Sequence, residues 1–139
     1  MERDSPFLNW RYYDSRGGEY VVRSVEEQGR LLGYCVTKPT RPRAWIADLI
    51  AQLSRPDVAR AFVRDATPIA SEGGAVTVDP IQLRGHPHTR VLLEEGFLPR
   101  DYPHILTMTN FTARQHAELR FLETRDARVH VAPGDFDHI

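Results

Sequence analysis

The chain has 139 residues, of which 41% are hydrophobic and 27% are charged, and its formal net charge is -1. This length favours one domain that is large enough to bury a core without disulfides or metals. The balanced charge excludes a generally basic nucleic-acid-binding protein and a polybasic membrane-surface protein, so we expect neither partner. The single cysteine, Cys35, excludes an internal disulfide and a cysteine-cluster metal site.

No apolar run approaches the roughly 20 residues that a membrane-spanning helix needs. Residues 1–6 also lack the charged-then-apolar layout of a secretory signal. On both grounds we expect a cytoplasmic protein.

Two strands joined by a tight turn are the first predicted elements. Residues 19–25 are rich in strand-forming side chains, and residues 26–29 read as a turn with Gly29 where a positive φ is needed. Residues 30–37 supply the second strand, so the pattern predicts an antiparallel hairpin.

A central strand is predicted at residues 43–50. Pro39 and Pro42 end the hairpin, because proline has no N–H and restricts the residue before it. The strand that follows is apolar on both faces apart from Asp48, which is typical of a strand covered on both sides.

A helix is predicted from Ser54 onward. Ser54 is able to cap it, while Pro56 and Asp57 suit its first turn. Its apolar positions recur at helical spacing: Val58, Ala59, Phe62, Val63 and Ala66. Pro68 is expected to end or kink this helix, which closes at residues 72–74.

Short strands and helices are predicted to alternate along the rest of the chain. They are a strand at 75–78, a helix at 87–95 that ends before Gly96, a strand at 105–111 and a helix at 113–122. The order indicates one α/β domain over residues 1–139, with a mixed, mostly antiparallel sheet flanked by helices and an extension at 111–139. The predicted core is Val22, Leu32, Tyr34, Trp45, Ile46, Leu49, Phe62, Val63, Val76, Leu92, Leu93 and Phe97.

Four short sequence segments, taken in chain order, resemble those of a known family. They are Phe7-Leu8-Asn9-Trp10-Arg11-Tyr12, Gly29-Arg30-Leu31-Leu32-Gly33-Tyr34, Trp45-Ile46-Ala47-Asp48-Leu49 and Leu92-Leu93-Glu94-Glu95-Gly96-Phe97. In their order and spacing they resemble the GNAT superfamily of acyl-CoA-dependent N-acyltransferases, over roughly residues 7–110. The resemblance implies a GNAT-like fold and acyl transfer from acetyl-CoA or another acyl-CoA to an amine.

Two stretches depart from that family's pattern. The family opens with a strand and two helices, whereas only a short stretch precedes Tyr20, so we expect the C-terminal part of the fold or a shortened version. The family also holds the acyl-CoA pyrophosphate with a Q/R-x-x-G-x-G/A loop, whose small residues let backbone N–H groups approach the phosphates. The equivalent residues 52–57 contain no glycine, and Asp57 puts a negative charge where phosphate would lie.

The cofactor-binding residues implied by the resemblance are Leu49, Ile50, Ser54 and Arg55. The backbone of Leu49 and Ile50 would face the pantetheine, and Ser54 and Arg55 would serve the phosphates. Acyl transfer of this kind needs positioning and an oxyanion donor more than a nucleophile, and no catalytic residue is assigned. The alternative is a non-catalytic binding or assembly module, because a fold does not guarantee its usual function.

Asp48 has two interpretations. It is a base or an amine anchor, because enzymes of the resembled family often place a carboxylate on this strand. Alternatively, it is a carboxylate that hydrogen-bonds a neighbouring loop or helix start, since a buried unpaired carboxylate is costly.

Neither metal nor nucleic acid is predicted as a ligand. His86, His88 and His104 show no recognised ligand spacing, so no metal site is assigned. The arginines between residues 55 and 64 are expected to form the solvent face of the predicted helix.

The first hairpin is predicted to be an open edge of the sheet. Residues 20–25 would expose unpaired backbone groups there, and the apolar segment 6–13 is too short to cover them all. We therefore expect a homodimer, or docking on a partner chain, through the N-terminal segment and the first hairpin.

Overall fold

The computed structural model describes residues 4–14, 16, 18–80 and 85–99. Its elements are α1 (Ser5–Leu8), a π-helical turn (Asn9–Tyr13), β1 (Val21–Glu27), β2 (Arg30–Lys38), β3 (Arg43–Ala51), α2 (Pro56–Glu72), β4 (Thr77–Pro80) and α3 (Thr89–Glu94). They confirm the α/β class, with a mixed, mostly antiparallel sheet flanked by helices. The strand predicted at 105–111, the helix at 113–122 and the extension at 111–139 lie outside the described residues.

The predicted hairpin is confirmed, with a turn of two residues between β1 and β2. Gln28 and Gly29 form this turn with φ values of 52° and 75°, the two positive values that a type I′ hairpin turn requires. Pairing starts at Val21 opposite Thr37, so β1 begins two residues later than predicted. Within the described sheet, whose order is β1-β2-β3-β4, β1 is an edge strand as expected.

A β-bulge interrupts the pairing of β2 with β3. Val36 pairs with Asp48, but the next residue, Thr37, pairs with Ile46, so Ala47 is one extra residue in β3. A bulge of this kind changes which face the following side chains occupy. Here it directs the side chains of Ile46 and Asp48 to opposite faces, although residues two positions apart share a face in a regular strand.

Helix α2 crosses from the end of β3 to the start of β4, which lies parallel to β3. Its N-cap is Arg55 and not Ser54, so the predicted cap is wrong, and no side chain caps the helix. The helix continues past Pro68, because Ala70 in the last turn is buried in the core and packing outweighs the lost hydrogen bond. No helix of the described ranges is long and apolar enough to cross a membrane.

Two predicted core residues are exposed. β4 begins two residues later than predicted, which leaves Val76 before the strand with 81% of its surface exposed, while Val78 packs against the core. Leu93 is 50% exposed because it lies on the outer side of α3, which is shorter than predicted. The end of α3 is as predicted, with Gly96 at a φ of 88° just beyond it.

The buried side chains form two clusters on opposite faces of the sheet. The α2 face is the side covered by α2 and α3, and its strand residues include Leu32, Cys35, Ile46, Leu49 and Ala51. The N-terminal face is the side covered by residues 5–13, and its core consists of Tyr12, Tyr34, Val36 and Ala47. Neighbouring residues of β2 belong to different clusters because side chains alternate along a strand.

Candidate functional site

A cavity of about 200 Å³ lies between residues 5–13 and the β1–β2 hairpin, on the N-terminal face. Leu8, Tyr12, Tyr13 and Tyr34 are among the side chains that line it. None of the described residues that line it is charged. Pockets for drug-sized ligands measure about 300–1,000 Å³, so this cavity suits a smaller molecule.

The N-terminal helical segment owes its position to a local cap. The side chain of Asp4 accepts a hydrogen bond of 2.9 Å from the backbone N–H of Phe7, and Pro6 lies in the first turn. Leu8 and Tyr12, four residues apart, both face the sheet. This helical segment was not predicted from the sequence, although Asp4 followed by Pro6 is a pattern that indicates the start of a helix.

Asp48 lies behind the cavity, with no exposed surface. The hydroxyl of Tyr34 donates a hydrogen bond of 2.9 Å to Oδ2 of Asp48, and the hydroxyl of Tyr12 donates one of 3.4 Å to the same atom. These phenols help to satisfy a carboxylate that would otherwise be costly to bury. Asp48 is hydrogen-bonded, but these partners are two phenols and not the loop or helix start that one interpretation named. Its role as a base or an amine anchor stays a prediction.

Tyr20 packs beside this group without completing a hydrogen bond. Its ring meets that of Tyr12 edge-on, with centroids 5.2 Å apart, and Nζ of Lys38 lies 5.0 Å from its centroid. The Tyr20 hydroxyl is buried and has no hydrogen-bond partner within the described part of the chain. Among residues 4–14, 16, 18–80 and 85–99, nothing offsets the cost of burying this hydroxyl.

The predicted cofactor-binding residues do not converge on one surface. The side chain of Leu49 is 2% exposed in the core of the α2 face, whereas Ile50 is half-buried on the N-terminal face. Ser54 is exposed in the loop before α2, and Arg55 follows it at the N-cap. A role for the backbone of Leu49 and Ile50 in binding acyl-CoA stays a prediction.

Arg55 is held by two carboxylates at the start of α2. Its Nη1 lies 3.0 Å from Oε2 of Glu27, and its Nη2 lies 2.8 Å from Oδ2 of Asp57. The hydrogen bonds between Arg55 and Asp57 raise the pKa of the guanidinium and lower the pKa of the carboxyl. One positive and two negative charges leave this helix end net negative, which disfavours a pyrophosphate there.

Arg60 and Arg64 link α2 to the end of α3. Arg60 pairs with Glu94 and Glu95, and Nε of Arg64 lies 2.7 Å from Oε2 of Glu95. The hydrogen bond from Arg64 lowers the pKa of Glu95. These arginines lie on the solvent side of α2, as expected, and there they also pair with carboxylates at the end of α3.

The histidine pair that was considered as a metal site lies at the start of α3. The rings of His86 and His88 are 5.1 Å apart, and the backbone N–H of His88 donates to Nδ1 of His86. Over residues 4–14, 16, 18–80 and 85–99, no group of three or more possible metal ligands occurs. His104 lies outside the described residues.

Cys35 lies in the core of the α2 face, with 2% of its surface exposed. Burial raises the pKa of its thiol from an ordinary value of 9.0 to about 12. Cys35 is therefore a buried thiol that is not activated as a nucleophile.

Comparisons with protein-family models, curated proteins and solved structures found no match to this chain. The GNAT resemblance consequently stays a prediction from the sequence phrases. The structural features that bear on function are the cavity, the buried Asp48 and the start of α2.

Proposed function

We propose that this chain is a non-catalytic binding module on a GNAT-like scaffold, with its ligand cavity on the N-terminal face. The observation that carries the proposal is the pairing of Arg55 with both Glu27 and Asp57. An acyl-CoA-dependent enzyme of the resembled family needs a pyrophosphate near this position. The residues here do not fit that group, because Arg55 is paired with two carboxylates and Pro56 lacks an N–H.

The N-terminal face supports the binding role. Its cavity is enclosed on one side by a capped helical segment and on the other by the β1–β2 hairpin. A mostly apolar cavity with a few polar groups is the usual form of a small-molecule site. The three serine and asparagine side chains that line it, Ser5, Asn9 and Ser24, supply those polar groups.

A thermal-shift titration with acetyl-CoA tests the proposal. A ligand at 100 times its Kd stabilises a protein by about 2.7 kcal/mol, so binding in the millimolar range would raise the melting temperature measurably. We expect no shift for the wild-type chain. A saturable rise in melting temperature would contradict the premise that the start of α2 does not accept the pyrophosphate of acyl-CoA.

A double variant tests whether the carboxylates of Glu27 and Asp57 prevent acetyl-CoA from binding at Arg55. Glu27→Gln together with Asp57→Asn removes both carboxylates from Arg55, and we expect it to gain measurable affinity for acetyl-CoA or for inorganic pyrophosphate. Asp65→Asn is the matched control, because Asp65 pairs with Arg23 on the surface and not with Arg55. An equal response from both variants would mean that the charges around Arg55 do not govern anion binding.

A second candidate is an acyl-CoA-dependent N-acyltransferase that acts on an amine. It is favoured by the run of three antiparallel strands, a helix and a parallel strand, with a bulge beside Asp48 in β3. This is the layout that the resemblance implies. Release of free thiol from acetyl-CoA in the presence of a panel of amines would favour this candidate over the binding module.

We further propose that the chain forms a homodimer through its N-terminal segment and first hairpin. β1 is an edge of the described sheet, and three nearby apolar side chains are exposed: Trp10 by 62%, Tyr13 by 68% and Leu31 by 53%. Light scattering tests this association. A monomer at tens of micromolar, unchanged when Leu31→Ser and Trp10→Ser are introduced, would contradict it.

A further inference from the structure

We propose that the cavity on the N-terminal face binds the trimethylammonium group of a small organic cation. This inference rests on the proposed function as a binding module and names the chemical class of its ligand. It is carried by three tyrosines around the cavity and by the carboxylate behind two of them.

Aromatic side chains supply the first part of the argument. Tyr12, Tyr13 and Tyr34 all line a cavity of about 200 Å³. Aromatic rings attract cations through their quadrupole, and recognition of quaternary ammonium groups is the best-known use of several rings around one site. A neutral apolar ligand would gain no comparable benefit from tyrosine over leucine.

Asp48 supplies the second part. The hydroxyls of Tyr12 and Tyr34 both donate to its Oδ2, at 3.4 Å and 2.9 Å. Donation to an anion polarises a phenol, and the effect is larger in a buried environment of low dielectric constant. The rings beside the cavity therefore become more electron-rich, which strengthens their attraction for a cation.

The position of Asp48 favours a methylated cation over a primary amine. A primary ammonium carries three N–H donors that require acceptors when they are buried. Asp48 is not among the residues that line the cavity, so the described lining offers a primary ammonium neutral acceptors, such as Ser5, Asn9 and Ser24, and no carboxylate. A trimethylammonium group has no N–H, and its methyl groups can pack against Leu8, Val22 and Val36.

The test is an NMR titration of the full chain with choline and with its neutral isostere, 3,3-dimethylbutan-1-ol. We expect choline to shift the resonances of Tyr12, Tyr13 and Tyr34, and to bind about fivefold or more tightly than the isostere, because only choline has the charge. Equal affinity for the two compounds would show an ordinary apolar cavity and overturn the proposal. Binding of neither compound would overturn it as well.

Phosphocholine distinguishes two sources of the group. Tighter binding of choline would assign a free cation, and tighter binding of phosphocholine would assign a phosphate ester such as a lipid headgroup. Either result supports the site when choline also binds more tightly than its neutral isostere, and phosphocholine binding without that preference would overturn the proposal.

Variants of Tyr13 keep the test independent of folding, since this side chain is 68% exposed. We expect Tyr13→Leu to weaken choline binding about two- to fivefold and Tyr13→Phe to retain it. Trp10→Leu is the matched control, because Trp10 is exposed but does not line the cavity. Equal weakening by Tyr13→Leu and Trp10→Leu would contradict the assignment. The acetyl-CoA titration tests the proposed function separately, because its outcome does not depend on whether the cavity binds choline.

Discussion

The two faces of the sheet are built from different chemistry. On the α2 face, a helix of 17 residues covers aliphatic side chains, and ion pairs between α2 and α3 lie at its rim. On the N-terminal face, residues 5–13 cover a cluster that contains Tyr12, Tyr34 and the buried carboxylate of Asp48. The short segment leaves a cavity between itself and the sheet.

This contrast separates stability from recognition. Aliphatic packing is non-directional and contributes most of the free energy of folding. Buried polar groups contribute less stability, but they fix specific geometry. We therefore expect substitutions on the α2 face to cost more stability than substitutions on the N-terminal face.

Phe62→Ala should have the largest effect. Phe62 is 4% exposed at the centre of the α2 face, so truncation leaves a cavity and should lower the free energy of unfolding by about 3–5 kcal/mol. Urea denaturation followed by circular dichroism measures the change. Val76→Ala is the control, because Val76 is 81% exposed and should change stability by less than about 0.5 kcal/mol. A loss below 1 kcal/mol for Phe62→Ala would remove the distinction between the faces.

Tyr34→Phe should have the next largest effect. It removes the shorter hydrogen bond to the buried carboxylate of Asp48, and a hydrogen bond to a charged group contributes about 1–3 kcal/mol. Tyr12→Phe should cost less, because the Tyr12 hydroxyl is 3.4 Å from the same oxygen. The same denaturation experiment compares them, with Tyr13→Phe as an exposed control. The reverse order would mean that Tyr12 is the principal partner of Asp48.

Alkaline pH should weaken the α2 face through Cys35. The pKa of the buried thiol is raised to about 12, above the ordinary 9.0 that it regains on unfolding. Between these values the unfolded state binds fewer protons than the folded state, so the free energy of unfolding falls as pH rises. This contribution is fully present below pH 9 and absent in Cys35→Ala. Parallel slopes for the wild type and Cys35→Ala in that range would contradict the assignment.

Tyr20→Phe should have the smallest effect, and of the opposite sign. It removes a buried hydroxyl that has no partner among the described residues, so we expect stability to stay the same or to increase by up to about 1 kcal/mol. Thermal unfolding measures the change. A clear loss of stability would show that the hydroxyl makes a contact with a part of the chain beyond those residues.

The hairpin, the central strand and the long helix could be predicted because their signals are local. A two-residue turn with positive φ, two prolines after a strand and apolar residues at helical spacing each act within a few residues. Some element ends were less predictable, since the N-cap of α2 is Arg55 and not Ser54, and pairing moved β4 by two residues.

The sequence by itself determined the hairpin, the edge position of β1 and the covered central strand that contains Asp48, because these follow from local pattern and chain connectivity. Only the tertiary structure decided the site. It brings Tyr12 to Asp48 across 36 positions and Arg55 to Glu27 across 28, and the bulge at Ala47 sets which face Asp48 occupies. Such contacts depend on register and on packing between distant segments, for which no local pattern exists.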